Sequence, residues 1–74
     1  QFFTGNQFAL LKAIAKDGIV AQPTAGKFIK GHKLSGASSV KAALKILEDK
    51  ELVYRNNEGY IIYDRFMDLW LKRI

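Results

Sequence analysis

The sequence has no cysteine, one proline, one histidine and one tryptophan. Without thiols, neither a disulfide framework nor a thiolate metal centre can form, and the chain suits a reducing, cytoplasmic compartment. His32 stands alone, without the second nitrogen or sulfur ligand that a transition-metal site needs, and reads as an exposed residue of a turn. No stretch approaches the ~20 apolar residues of a membrane span. The opening Gln1-Phe2-Phe3-Thr4 has neither the basic start nor the long apolar run of a secretion signal. Acids are scarce in the first part of the chain. Up to Leu47 seven lysines face only Asp17, whereas from Glu48 onward six acids face five bases. The net charge of +5 therefore hides one concentrated basic region, suited to phosphates or to an acidic protein surface.

What is present is enough for one small core. With 74 residues, 49% of them apolar, the chain is expected to form a single domain over 1–74. A domain of this size buries only ~60% of the surface that its unfolded chain exposes. The first residue is glutamine, and Ile74 falls within an amphipathic pattern, so the chain is expected to be a piece of a longer one.

Helical spacing of Phe8, Leu11, Ile14 and Ala15, with Leu10 beside them, predicts a first helix. Thr4 or Asn6 would cap it, and Gly18 would stop it. Ile19 to Gln22, closed by Pro23, reads as a short strand or extended link. Thr24 is expected to cap a short second helix through about Lys30, with Phe28 and Ile29 inward, before a turn from Gly31 to Leu34. The third helix is predicted over about 37–50, capped by Ser35 or Gly36. Val40, Ala43, Leu44 and Leu47 line its inner side, and Ser38, Lys41, Ala42, Lys45 and Asp49 its outer side. The β-prone runs 52–55 and 60–63, separated by Asn56-Asn57-Glu58-Gly59, predict a hairpin. Asp64 would cap a last helix that is apolar over much of its circumference, more than a free surface helix should be. This order predicts an α+β, mainly helical winged helix-turn-helix: a three-helix core, a β-hairpin wing and an extra C-terminal helix.

The outer side of the third helix is the candidate for reading a nucleic acid. Ser38, Ser39 and Ala42 are small enough to let the backbone approach a groove, the two hydroxyls can donate to phosphate, and Lys41 and Lys45 can neutralise it. Lys27, Lys30 and Lys33, with Arg55, Asn56 and Asn57 of the wing, could flank a duplex. Two features count against this reading. The third helix offers no arginine, asparagine or glutamine for a bidentate base contact, and Glu48, Asp49 and Glu51 repel phosphate at its far end. Any one of these lysines taken singly is better read as a solvated surface charge.

Other signals weaken on inspection. Gly31 to Ser38 spaces two glycines like a phosphate-binding loop, but Ala37 stands where the lysine should be, and no buried strand precedes it. Ser38 and Ser39 have no histidine base at helical spacing. The Glu48, Asp49 and Glu51 carboxylates point in different directions from a helix end, so they read as a solvated terminus. No catalytic residue, cofactor or metal ligand is therefore expected. Trp70 reads as a core or interface anchor, and Phe66, Met67, Trp70 and Ile74 as the residues of a protein interface.

Tyr63-Asp64, followed by Phe66, Met67, Leu69, Trp70 and Leu71, forms a recognisable pattern. So does the stretch from Ser38 to Lys45 with Leu47, Lys50, Leu52 and Val53. Over about residues 8–73 the chain resembles the archaeal-type P-loop ATPases, AAA-like proteins in which a winged-helix domain follows the nucleotide-binding module. Many members have proline after the aspartate, where this chain has Arg65; either residue fits a first helical turn. The resemblance implies that ATP binding belongs to an upstream module. It also implies that this domain contacts that module, rather than or as well as double-stranded DNA.

Overall fold

A computed structural model of the chain describes residues 3–74. Gln1 and Phe2, part of the stretch read above for a secretion signal, lie outside the described residues. Four helices and one hairpin follow in the order α1 (Gly5–Asp17), α2 (Gly26–Gly31), α3 (Ala37–Asp49), β1 (Val53–Arg55), β2 (Tyr60–Ile62) and α4 (Arg65–Arg73). Among the described residues no helix is long and apolar enough to cross a membrane.

α1 begins with a reciprocal cap. The Gln7 amide donates to the Thr4 hydroxyl at 3.2 Å, and the Thr4 amide donates to the Gln7 side-chain carbonyl at 3.3 Å. This satisfies two backbone donors at the helix start and explains why Gln7, a polar residue, is buried. Leu10, Leu11, Ile14 and Ala15 form the inner face as predicted, joined by Ala13, but Phe8 is only half-buried. Gly18, at φ +85°, ends the helix with its amide on the carbonyls of Ile14 and Ala15.

Thr24 does not cap α2. Gln22-Pro23-Thr24-Ala25 is a turn closed by the Ala25 amide on the Gln22 carbonyl at 3.0 Å, which moves the helix start to Gly26 with Ala25 as its cap. α2 runs to Gly31, one residue past its expected end, and the predicted turn follows. The terminus closes two residues later, with the Lys33 amide on the Lys30 carbonyl and the Leu34 amide on the Ile29 carbonyl; Lys33 takes a left-handed φ of +56°. α3 ends the same way. Glu51, at φ +62°, donates to Glu48, and Leu52 donates to Leu47. Both are Schellman closures in which a charged residue occupies the position that usually takes glycine.

The hairpin is antiparallel, with Val53 opposite Ile62, Tyr54 opposite Ile61 and Arg55 opposite Tyr60. The predicted runs extended one residue further at the α3 and α4 ends. There Leu52 and Tyr63 share a single bond, from the Tyr63 amide to the Leu52 carbonyl at 2.9 Å. Of the stretch 19–22, expected as a short strand or extended link, only Val20 pairs, bridging to Tyr60 through bonds of 3.0 and 2.8 Å.

One core unites these elements: Leu10, Leu11 and Ile14 of α1, Phe28 of α2, Val40, Leu44 and Leu47 of α3, Val53 and Ile62 of the hairpin, and Leu71 of α4. α1 is central, packing against α3, α4 and β2. Gly59, at φ +146°, sits where an added Cβ would lie 2.5 Å from the Val20 carbonyl oxygen. We expect Gly59→Ala to lower stability by more than about 2 kcal/mol in chemical denaturation and to expose the Val20 and Tyr60 amides to hydrogen exchange. Asn57→Ala, at the tip of the same turn, is expected to stay within about 0.5 kcal/mol of the parent.

Candidate nucleic-acid interface and the exposed face of α4

The hydrophobic pattern of α3 decides what the helix presents to solvent. Val40, Ala43, Leu44 and Leu47 go into the core, which leaves Ser38, Lys41, Ala42 and Lys45 exposed. The N-terminal half of this outer surface carries positive charge without acid nearby. Towards the C-terminus the charge is partly answered, since the Lys45 ammonium lies 3.8 Å from the Asp49 carboxylate, one turn on. Exposed pairs of this kind contribute little to stability but do reduce the local potential. Ser39 departs from the expected face. It is half-buried and lines a small pocket with Asn6, Ala9, Lys33, Leu34, Ser35 and Val40. Ser35, an expected cap, instead donates to the Asn6 side-chain carbonyl at 2.9 Å and leaves Gly36 as the cap.

Lys27 and Lys30 are exposed on α2, and Lys33 is exposed on the closure that follows. In the wing, Arg55 and Asn57 are exposed. Asn56 instead shapes the turn, because its side-chain oxygen accepts the amides of Glu58 at 2.8 Å and Gly59 at 3.0 Å. Glu58, also exposed, places an acid beside this otherwise basic tip.

His32 is not the exposed turn residue that its sequence position suggested. It is half-buried, with its ring 4.9 Å from that of Phe28 and its Nε2 3.0 Å from an Asp17 carboxylate oxygen. It fastens the end of α2 to the end of α1. Among the described residues, no group of three histidine, cysteine or acidic side chains is arranged to hold a metal.

A second surface lies on α4. Asp64 caps this helix, accepting the Phe66 and Met67 amides at 2.9 and 3.3 Å, and so fixes its start. Leu71 is fully buried, and Met67 turns inward against the core, so Met67 is not part of an outward interface. Phe66, Leu69, Trp70 and Ile74 face out, with 84%, 50%, 54% and 48% of their surfaces exposed. Trp70 is thus not a core residue; its ring meets that of Phe8 edge-on at 6.3 Å. Leu69 and Phe8 belong to this surface without having been expected there. The spacing of 66, 69 and 70 on one helical face was the available signal for the first, and nothing local signalled the second.

A short helix, then a well-formed one with its polar side outward, then a hairpin beside it, all built on a first helix, is the architecture of a winged helix-turn-helix. The family model described as a probable winged helix domain matches residues 1–73, and the chain belongs to that family. No curated protein and no solved structure matches the chain.

The two sides of α4 should respond differently to truncation. Leu71→Ala is expected to cost about 2–5 kcal/mol through the cavity it leaves. Phe66→Ser should change stability by less than about 0.5 kcal/mol in the same urea titration.

Proposed function

We propose that this domain is a non-catalytic module that binds double-stranded DNA, with α3 in the major groove and the wing against the backbone. The observation that carries this reading is the exposed outer face of α3. Ser38, Lys41, Ala42 and Lys45 stand in solvent on a helix anchored from beneath by the buried Val40, Leu44 and Leu47. Membership of a winged-helix family supports it further. Lys41 and Lys45 would neutralise phosphates, Ser38 would donate to phosphate oxygens, and Arg55 and Asn57 would meet the backbone from the wing. Lys27, Lys30 and Lys33 would add long-range attraction.

If about four to six phosphates are neutralised, a fourfold rise in salt should weaken binding by about 10²–10³. Fluorescence anisotropy with a labelled duplex at two salt concentrations measures this. Lys41→Ala with Lys45→Ala should remove most of the binding and flatten the salt slope by about two contacts. No association at low salt would end this reading for the domain.

A second reading is favoured by the outward face of α4. There the domain would dock on an upstream ATPase module of its own chain or on another protein, in keeping with the resemblance of its C-terminal stretch to the P-loop ATPases. The setting would be cytoplasmic. Four large apolar side chains side by side on one short helix and its end exceed the scattered exposure usual on a monomer. Docking there should bury Trp70. Its emission in the longer parent protein is expected to shift to the blue relative to the 74-residue domain, and Phe66→Ser should reverse the shift. Identical emission in the two proteins would count against docking through α4.

A further inference from the structure

Resting on the docking reading above, we propose that α4 and the adjoining Phe8 form a seat for an acidic amphipathic polypeptide segment, with large apolar side chains on one face and carboxylates on its flanks. The apolar part of the seat is Phe66, Leu69, Trp70 and Ile74, continued onto α1 by the contact of Trp70 with Phe8. Its border is basic. Arg65 flanks Leu69 on the hairpin side, and Arg73 falls in line with Phe66 by helical spacing, two turns on. Lys12 places its ammonium 5.9 Å from the centre of the Phe8 ring on the α1 side. Among the described residues no carboxylate lies within ion-pair distance of any of these three cations.

The nearby acids are already committed. The Asp64 carboxylate caps α4, and Asp68 is half-buried against Lys72 at 3.0 Å. The seat therefore offers apolar area bordered by three cations that, among the described residues, have no ion-pair partner.

This charge pattern selects among occupants. A second copy of the chain, paired face to face through α4, would set Arg65 and Arg73 against the same guanidinium groups. A nucleic acid could stack on Phe66 or Trp70 but would leave Leu69 and Ile74 without apolar cover. A planar bilayer would not follow the trough that runs from Phe8 along α1 past Gly5, Ala9 and Lys12. A segment of alternating apolar and acidic faces meets all of these features, as amphipathic helices do when they lie in apolar grooves.

Trp70 is the only tryptophan, so its emission reports occupancy directly. The probe is a synthetic helical peptide with leucines at positions i, i+3, i+4 and i+7 and glutamates on both flanks, titrated beside a sister peptide carrying lysine at every glutamate. The acidic peptide should shift Trp70 emission to the blue and bind at least about tenfold more tightly than the basic one, equivalent to about 1.4 kcal/mol. Arg65→Glu with Arg73→Glu should invert that preference, Phe66→Ser should weaken binding about tenfold, and Lys41→Ala with Lys45→Ala should leave it unchanged. Equal affinity for both peptides would overturn the acidic partner yet leave docking through α4 intact. No response to either peptide would overturn the inference, while the parent-protein emission measurement judges docking separately. Self-association in sedimentation equilibrium that Phe66→Ser abolishes would also overturn it. So would tighter binding to phosphatidylserine vesicles or to a single-stranded oligonucleotide than to the acidic peptide.

Discussion

Burial of one face of α1 is the constraint from which the rest of the domain takes its shape. Leu10, Leu11 and Ile14 are sealed from water, and around them gather Leu47 from α3, Ile62 from the hairpin and Leu71 from α4. A core this small has little redundancy, because each side chain supplies a large share of the apolar area removed from water. Side chains on α3 and α4 that do not enter this core are consequently turned outward, and they supply most of the two candidate surfaces. The polar ties reinforce the same centre. Lys16 donates to the Lys72 carbonyl at 2.8 Å, bringing the ends of α1 and α4 together, and Asp17 holds His32 at the end of α2.

Much of this architecture was legible in the order of the residues. The periodicity of α3 named its buried side and, Ser39 apart, its exposed side correctly, and Asn56 to Gly59 located the hairpin, because alternation and turn chemistry are local properties of the chain. The helix ends were less legible. Lys33 and Glu51 take left-handed positions that no local signal marked, since the amides of Leu34 and Leu52 reach back to carbonyls five residues earlier. Those closures depend on where Leu34 and Leu52 can pack, which is tertiary information. Thr24 lost its expected role for a nearer reason: the turn through Pro23 had already claimed it.

The candidate sites divide along the same line. Lys41 and Lys45 could be placed from spacing alone. Ser39 could not, because its half-buried position depends on the turn before α3 lying close to the start of α1. Phe8 has the spacing of a core residue but lies half-buried at the edge of the core, where it meets Trp70 from the far end of the sequence. His32 escaped a local reading because its partner, Asp17, lies at the end of a different helix.

α3 and α4 lean on α1 yet share no outward residue, and this bears on traffic through the domain. The outward side chains that an occupant of one helix would meet are therefore not those that an occupant of the other would meet. The two faces are joined by two packed routes, one directly through α1 and one by way of the hairpin, since α3 also packs on β1 and α4 on β2.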